Sequence, residues 1–481
     1  MEKNRNVRGE SLIDMEPFIH LFSTSVGKYM YDVNTDAIIE VPEESFEYLK
    51  KMNLERNSMN YKPQYIIDME NLGHLKCNRV VETEHPDTEF LGHYYKSKLN
   101  YLILQVTQNC NLRCEYCSYS GKYNTRSHSN KRMDFSIAKK GIDYLVKHSM
   151  DNPKIILGFY GGEPLLEFEL IKDCVEYIKK IAKGKEVGFS ITTNGTLLTD
   201  KVIDFLVENQ FILTISMDGP KEIHDKSRLF VNSKKGSYDI LMYNLNKILK
   251  LYPKYYTEYI QFNTVLTGND SFSDINNFFM SDELFTLSNK LNISLVSDAY
   301  EKDETKEGAK ISEKFVQEYQ YELFKYFLYK IGWTSNETSL LLADGFDDIF
   351  TLKEDAEITQ EQVPYKSHHG GPCTLGSFRL FMTTDGIFFP CEKVCETDKN
   401  MQLGNIETGI SIDKAKDLLN IETYTEKKCH NCWAYKYCTI CCLHMNEYKS
   451  GAVGRCKKIQ NNIEEKFKDY CVLKSLGYEM N

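Results

Sequence analysis

The clearest pattern in this chain is an alternation of apolar runs and amphipathic segments between Ser97 and about Ser297. The apolar runs, rich in β-branched and aromatic residues, predict six strands at 101–107, 154–160, 187–193, 211–217, 259–266 and 293–297. Segments with apolar residues at helical spacing lie between most of these runs. They predict helices at 135–148, 167–182, 200–208 and 238–251.

Successive strand–helix repeats predict a parallel sheet with helices packed on its outer face. A sheet built from six such repeats is expected to be at least partly closed. The predicted fold class is therefore α/β, with a partial (β/α)6 barrel of the TIM type. The active site of such a barrel lies at the C-terminal ends of its strands, so the loops that follow the strands are where catalytic residues are expected.

The segments that flank the repeat have other patterns. Residues 20–41 contain two β-rich runs joined at 32–36, and apolar residues at helical spacing predict a helix over 43–52, so a small α+β module precedes the barrel. A charged, mostly helical bridge is predicted after the barrel, and the last segment is rich in cysteine. We expect domains at 1–95, 96–310, 311–365 and 366–481. The last has few long periodic runs, so we expect metal clusters to hold it together.

The net charge limits the possible partners and compartments. The 481-residue chain carries a net charge of −10, which argues against a nucleic-acid partner because a phosphate backbone requires a basic face. No run reaches the roughly 18 apolar residues of a membrane span, and residues 1–13 are too polar for a secretory signal. We therefore expect a cytoplasmic protein with no membrane partner.

The fifteen cysteines are distributed unevenly along the chain. Disulfides are not expected, because the cytosol keeps thiols reduced. We interpret the isolated Cys77, Cys174 and Cys471 as small buried hydrophobic residues. The remaining cysteines form two dense groups, after the first predicted strand and in the C-terminal segment, and these groups indicate metal sites.

Cys110, Cys114 and Cys117 follow the first predicted strand with the spacing C-x3-C-x2-C. Three thiolates in one loop can hold three irons of a [4Fe–4S] cluster and leave the fourth iron open to a small molecule. Zinc would normally need a fourth ligand nearby, and the next histidine along the chain is His128. An iron–sulfur cluster is therefore favoured, and Tyr116 is placed to cover its cofactor.

This loop resembles that of the radical S-adenosylmethionine (SAM) superfamily. The resemblance implies that the amine and carboxylate of SAM chelate the open iron. It also implies that one electron, from an external donor of the flavodoxin or ferredoxin kind, cleaves the cofactor to a 5′-deoxyadenosyl radical. That radical would abstract hydrogen from a substrate, in an oxygen-sensitive enzyme suited to anaerobic conditions.

Motifs at the next three strand ends resemble those of the same family. Glycines let a backbone approach a ligand closely, and a carboxylate can accept a hydrogen bond from an ammonium group. For Asp218 and His224, turn and cap chemistry fits as well as a functional role. The resemblance implies cofactor contact for Gly161, Gly162, Glu163, Asn194, Ser216 and Arg228.

The C-terminal cysteines resemble the SPASM extension of radical enzymes that modify peptides. The string reads C-x17-C, then C-x2-C-x5-C-x3-C-x13-C. The resemblance implies two auxiliary [4Fe–4S] clusters, and therefore three clusters in all. It assigns one auxiliary cluster to Cys373, Cys391 and Cys442, and the other to Cys429, Cys432, Cys438 and Cys456.

One departure from the SPASM pattern leaves the first auxiliary cluster a ligand short. Relatives with a fully ligated cluster have a cysteine shortly before the position of Cys373, where this chain has His368 and His369. Either one of these histidines or Cys395 supplies the fourth ligand, or one iron is open and binds a substrate thiolate. Cys441, beside Cys442, adds a further uncertainty about which thiol binds.

The N-terminal module resembles the winged-helix-like element with which peptide natural-product maturases bind a leader peptide at a sheet edge. A structural cap on the barrel is the alternative. The expected function is an enzyme that forms thioether crosslinks in a ribosomally made, cysteine-rich precursor peptide that carries a leader. The alternatives are an anaerobic sulfatase-maturating enzyme, a carbon–carbon crosslinking maturase, and a non-enzymatic iron–sulfur redox sensor or scaffold.

Overall fold

A computed structural model describes residues 16–52, 61–296, 311–335, 338–342, 362–369, 371, 373–449 and 454–477. The predictions for 1–13, for Ser297 and for much of the helical bridge lie outside the described residues. None of the helices in the described ranges is long and apolar enough to cross a membrane.

The N-terminal module is a three-stranded antiparallel sheet with two helices. Its strands are β1 (Ile19–Ser23), β2 (Lys28–Asp32) and β3 (Ala37–Glu40), in that spatial order, and its helices are α1 (Glu43–Met52) and α2 (Gln64–Asn71). The sequence predicted two β-rich runs, and that prediction was wrong by one strand.

The extra strand arises from a turn within the first predicted run. The Thr24 N–H donates to the Gly27 carbonyl at 2.9 Å, and the Gly27 N–H donates to the Thr24 hydroxyl at 3.2 Å. These bonds reverse the chain between β1 and β2. The turn at 32–36, which the sequence did predict, then joins β2 to β3.

The barrel confirms the predicted repeat. After β4 (Glu82–Thr83) and α3 (Leu91–Ser97), six parallel strands follow: β5 (Tyr101–Thr107), β6 (Lys154–Gly161), β7 (Glu186–Thr193), β8 (Ile212–Ser216), β9 (Ile260–Leu266) and β10 (Lys290–Leu295). The helices of this region are α4 (Phe135–Lys147), α5 (Phe168–Ile181), α6 (Asp200–Glu208), α7 (Lys221–Ser227), α8 (Tyr238–Leu251), α9 (Pro253–Tyr259), α10 (Phe272–Ser281), α11 (Glu283–Thr286) and α12 (Glu313–Lys330).

Each barrel element follows from its local pattern. Six of the seven residues of β5 are buried, as expected for a strand covered on both faces. In α5 the buried residues Ile171, Cys174, Val175 and Ile178 recur at helical spacing and face the sheet. The Asp134 carboxylate accepts from the Ser136 N–H and so caps the start of α4.

The C-terminal segment continues the barrel sheet. The sheet has ten strands in the order β10-β9-β8-β7-β6-β5-β12-β13-β14-β15, and β12 pairs parallel to β5. The strands are β11 (Lys366–Ser367), which pairs with β4, and β12 (Leu380–Met382), β13 (Ile387–Phe389), β14 (Gly404–Asn405) and β15 (Gly409–Ile410). The helices are α13 (Ile412–Leu419), α14 (Glu426–Cys429), α15 (Met445–Lys449) and α16 (Gly454–Ser475).

The C-terminal segment buries apolar side chains against the barrel. Phe381, Met382, Phe388 and Phe389 are fully buried in the same core as the barrel strands. The 22-residue helix α16 was missed, because lysines and glutamates separate its buried positions and weaken the periodicity.

The N-terminal sheet packs on the cysteine-rich segment. Phe22 and Tyr31 share a core with Phe467 of α16, and the His20 ring stacks on Trp433 with centroids 3.7 Å apart. The His20 Nε2 also lies 2.9 Å from a carboxylate oxygen of Glu464. The module therefore adjoins the second group of thiols directly.

The isolated cysteines are less uniform than predicted. Cys174 and Cys471 are buried in apolar cores, as expected. Cys77 is only half-buried, because it lies in the irregular chain that follows α2.

Candidate active site and cysteine clusters

The loop after β5 carries three thiols that point into the protein. Burial raises the pKa of Cys110 to about 12 and that of Cys114 to about 11, so without a metal these thiols are protonated. The Leu112 N–H donates to Cys110 Sγ at 3.3 Å, and the Tyr119 N–H donates to Cys117 Sγ at 3.4 Å. Buried sulfurs that accept from backbone N–H groups are suited to an iron–sulfur cluster, whose ligands are thiolates.

Gly161 and Gly162 lie against the backbone of this loop. A Cβ at Gly161, where φ is +143°, would lie 2.1 Å from the Thr107 carbonyl oxygen. A Cβ at Gly162 would lie 2.1 Å from the Asn109 carbonyl oxygen. The Gly162 N–H donates to Thr107 O at 3.0 Å, so the glycines let β6 end in contact with the cysteine loop.

Glu163 is fully committed to the protein framework. Its carboxylate accepts from the Thr193 hydroxyl at 2.7 Å and from the Asn194 N–H at 2.8 Å, and it is 1% exposed. Burial raises the pKa of Glu163 to about 6, while these hydrogen bonds act in the opposite direction. The side chain thus joins the end of β6 to the end of β7.

Asn194 continues this connection to the cysteine loop. Its amide donates to the Asn111 side-chain oxygen at 2.8 Å and lies 3.8 Å from Cys110 Sγ. Its own side-chain oxygen accepts from Thr196. The motifs at three strand ends therefore form one hydrogen-bonded unit around Cys110.

Arg228 and Asp218 form a buried pair on the other side of the loop. Arg228 Nε donates to Asp218 Oδ2 at 2.7 Å, and Nη2 donates to Oδ1 at 3.0 Å. Arg228 Nη1 also lies 4.0 Å from Cys114 Sγ, and the Tyr116 hydroxyl donates to Asp218. Burial raises the pKa of Asp218, but Arg228 and Tyr116 together lower it by more than burial raises it. The pKa of Asp218 therefore lies below its ordinary value.

No role was assigned to Asp218 from the sequence, although a carboxylate directly after a barrel strand was the available signal. In the structure Asp218 holds two of the residues that were predicted to contact the cofactor, Tyr116 and Arg228. Ser216, another of them, is half-buried and ends β8 opposite Asn263.

The second group of auxiliary thiols lines a single cavity of about 550 Å³. Cys429 Sγ lies 3.2 Å from the Thr425 hydroxyl, and the Gln460 amide donates to Cys432 Sγ at 3.3 Å. His20 and Trp433 form part of the same wall. The four cysteines that the resemblance grouped together are all found here: Cys429, Cys432, Cys438 and Cys456.

The first group also comes together, with one addition. Cys441 interacts electrostatically with Cys373, Cys391 and Cys442, which makes it a neighbour of all three predicted ligands. Burial raises the pKa of Cys391 to about 12.

The other candidates for the fourth ligand have different surroundings. Cys395 Sγ lies 3.4 Å from the Asn124 carbonyl oxygen and 3.1 Å from the Thr397 hydroxyl. His368 and His369 lie beside Glu422. Cys441 is therefore the thiol best placed to complete the first group.

A buried polar network links the radical loop to the segment after Cys391. Arg126 is fully buried and its Nη1 lies 3.1 Å from the Glu396 carboxylate. The Gln105 amide donates both to Glu396 and to the Tyr119 hydroxyl, at 2.8 Å each. This network sets the spacing between the two sites, and no sequence motif indicated it.

The arrangement of the barrel residues fits a radical SAM domain. Residues 104–279 match the model of the Radical SAM superfamily, so this part of the chain is a radical SAM domain on a partial barrel. The assignment supports SAM and a [4Fe–4S] cluster as cofactors of the barrel site.

Two relatives are similar to parts of this chain. An uncharacterized protein of Methanocaldococcus jannaschii is 40% identical over 154 residues, which is 31% of this chain and 50% of that protein, so this chain spans about half its length. A cysteine-type anaerobic sulfatase-maturating enzyme of Clostridium novyi is 28% identical over 361 residues, which is 73% of this chain and 89% of that enzyme.

A solved structure supports the fold. Native anSMEcpe with bound AdoMet and Kp18Cys peptide has a TM-score of 0.53 and 20% identity to this chain. The match covers 76% of this chain and 99% of that chain.

Proposed function

We propose that this enzyme modifies a peptide and forms thioether crosslinks in a cysteine-rich precursor that carries a leader. The observation that carries the proposal is the contact between the N-terminal sheet and the cysteine-rich segment through His20 and Trp433. It puts a module with edge strands beside the auxiliary thiols. Similarity to a solved protein with a bound peptide supports a peptide substrate.

The barrel residues provide the radical chemistry. Cys110, Cys114 and Cys117 would hold the first cluster, which when bound would supply the electron for cleavage of SAM. Asp218 orients Arg228 beside Cys114, and Tyr116 covers the same side of the loop. The unit formed by Glu163 and Asn194 fixes the opposite side.

The auxiliary thiols are proposed to hold the acceptor of the electron that thioether formation releases. Hydrogen abstraction leaves a radical on a substrate carbon. Bonding of a cysteine sulfur to that carbon releases one proton and one electron. We propose that Cys373, Cys391, Cys441 and Cys442 would hold the first auxiliary cluster, which would supply an acceptor for this electron.

The N-terminal module is proposed to bind the leader peptide. In the described residues β1 and β3 are the edges of its sheet, so an extended peptide could pair with either.

Formation of formylglycine is the second candidate function. The similarity to the Clostridium novyi enzyme along 89% of its length favours it. A formylglycine-forming enzyme would not need a leader, so removal of the leader from the substrate should leave such an activity intact. The same removal should abolish a leader-dependent thioether activity.

Mass spectrometry of a co-expressed precursor distinguishes the candidates. The test requires a short cysteine-rich open reading frame near this gene as the substrate, expressed anaerobically with and without the enzyme. A thioether product loses two hydrogens per crosslink and one alkylatable thiol. A formylglycine product loses sulfur, and a carbon–carbon crosslink loses two hydrogens but keeps every thiol. Either of the last two results would overturn the thioether proposal.

A further inference from the structure

Two histidines and a glutamate meet in a buried cluster beside the auxiliary thiols. His368 and His369 directly follow β11, and Glu422 lies in the 3-10 helix Ile421–Tyr424. Their side chains are 2%, 3% and 1% exposed. One ligand atom from each of the three lies within 4.8 Å of the other two.

The spacing of these atoms does not correspond to hydrogen bonds. His368 Nε2 lies 3.7 Å from Glu422 Oε1, and His369 Nε2 lies 3.8 Å from Glu422 Oε2. Hydrogen bonds of this kind measure about 2.7–3.2 Å. Two ligands about 2.1 Å from a tetrahedral ion lie about 3.4 Å apart, which is close to the observed separation.

The two ring nitrogens that face Glu422 make no hydrogen bond of normal geometry among the described residues, and beyond the His369 carbonyl the His368 ring has a hydrogen-bonding interaction only with the Leu419 backbone. Buried polar atoms are normally paired, so two unpaired nitrogens on one carboxylate indicate a missing partner. The Glu422 carboxylate itself accepts only long bonds, from the His369 N–H at 3.3 Å and from the Tyr435 hydroxyl at 3.5 Å.

The tautomer of His368 suits metal binding. Its Nδ1 lies 2.9 Å from the His369 carbonyl oxygen, which can only accept, so the proton resides on Nδ1 and Nε2 presents a lone pair. For His369, Nδ1 lies 3.3 Å from the Cys438 carbonyl oxygen and 3.0 Å from the Gly371 N–H. If Nδ1 donates to Cys438, the proton is on Nδ1 and Nε2 is free to bind a metal; if Nδ1 accepts from Gly371, the proton is on Nε2. Metal binding requires the first of these tautomers.

We propose that His368, His369 and Glu422 bind one divalent transition-metal ion, Zn²⁺ or Fe²⁺, in addition to the iron–sulfur clusters. His369 and Glu422 also line the cavity of the second auxiliary thiols, so this ion would lie directly beside that cluster. Two imidazoles and one carboxylate are a ligand set that both ions accept. The ion would balance the buried carboxylate. It would also join the chain ahead of Cys373 to the turn ahead of Cys429, and so fix the two auxiliary thiol groups relative to each other.

Metal analysis of the cluster-loaded enzyme tests this site, with Zn²⁺ as the probe. The parent enzyme is treated with chelator, supplied with Zn²⁺ and desalted under argon, and zinc, iron and sulfide are counted. We expect one retained zinc per chain in the parent and in His430→Gln, whose ring lies in the same segment but outside the cluster. We expect His369→Gln and Glu422→Gln to lose that zinc with iron and sulfide unchanged.

Several results would overturn the proposal. One is a parent enzyme that retains no zinc. Another is a loss of about four irons and the matching sulfide in His369→Gln or Glu422→Gln, which would make these side chains part of a cluster. Zinc K-edge absorption of the parent needs no variant. Nitrogen and oxygen neighbours at about 2.0–2.1 Å are expected, whereas sulfur at about 2.3 Å would place the zinc on cysteines.

Discussion

The guanidinium of Arg228 and the carboxylate of Asp218 form a bidentate ion pair inside the barrel, with N–O distances of 2.7 and 3.0 Å. Both side chains are buried, and the Arg228 guanidinium lies 5.4 Å from the ring centre of Tyr116. Because a buried arginine needs a charged partner, this pair fixes the group closest to Cys114.

Asp218→Asn should therefore destabilise the protein strongly. It leaves a buried guanidinium without a charged partner, which costs about 3–5 kcal/mol of unfolding free energy. Chemical denaturation under argon measures this, and calorimetry should show weaker SAM binding. Asp239→Asn removes the partner of Lys221 at an exposed site and should cost about 1 kcal/mol or less. Equal losses in the two variants would contradict the role given to Asp218.

His224 should make stability depend on pH. Burial, and then the charge of Arg228, lower the pKa of His224 to about 3 in the folded protein, whereas an unfolded histidine has a pKa near 6.5. Between these values the unfolded state binds one more proton, so stability falls as the pH drops below about 6.5, by about 1.4 kcal/mol per pH unit.

Denaturation at several pH values tests the effect of His224. Between about pH 6.5 and 5, His224→Gln should reduce the pH dependence of the unfolding free energy by the contribution of one proton. His93→Gln, at a site 54% exposed, should leave the slope unchanged. Burial also lowers the pKa values of His368 and His369, so part of the slope should remain. A slope as steep in His224→Gln as in the parent would contradict the role given to His224.

Gly162→Ala should damage the radical site selectively. The new Cβ would lie 2.1 Å from the Asn109 carbonyl oxygen, so the cysteine loop would have to move. We expect a loss of about 1–3 kcal/mol or more and less iron bound at the barrel site. Gly188→Ala is the matched control, since its nearest neighbour would be 3.6 Å away. Full iron content and activity in both variants would contradict the proposed need for glycine at position 162.

Much of the barrel could be predicted because its elements are long and strongly periodic. The bounds of β5, α6 and α8 agree with the predicted ranges residue for residue. The strands β12–β15 have two or three residues each and therefore carry no readable period, and their pairing with β5 is a long-range contact.

The site was predictable where a motif lies on contiguous residues. The cysteine loop is one example. The Asp218–Arg228 pair, the Arg126–Glu396 network and the Glu422 cluster each depend on residues far apart along the chain or without a motif. The side chains of each group come together only in the folded chain, so no local sequence pattern predicts these contacts.

Cys441→Ser tests the assignment of the first auxiliary cluster. If Cys441 is the fourth ligand, its loss should lower iron and sulfide by up to one [4Fe–4S] cluster or change the cluster's electron paramagnetic resonance spectrum. Cys395→Ser should do neither, because that thiol bonds to Asn124 and Thr397. An unchanged spectrum and iron content in Cys441→Ser would favour an open iron that binds the substrate thiolate.

The central claim is that Cys110, Cys114 and Cys117 hold the radical cluster as one of three. The most direct measurement compares the parent with the variant in which all three are alanine, counting iron and sulfide and assaying 5′-deoxyadenosine after reduction with SAM. We expect about twelve cluster irons in the parent and about eight in the variant. The variant should form no 5′-deoxyadenosine. Equal iron in both proteins, or 5′-deoxyadenosine formed by the variant, would contradict the central claim.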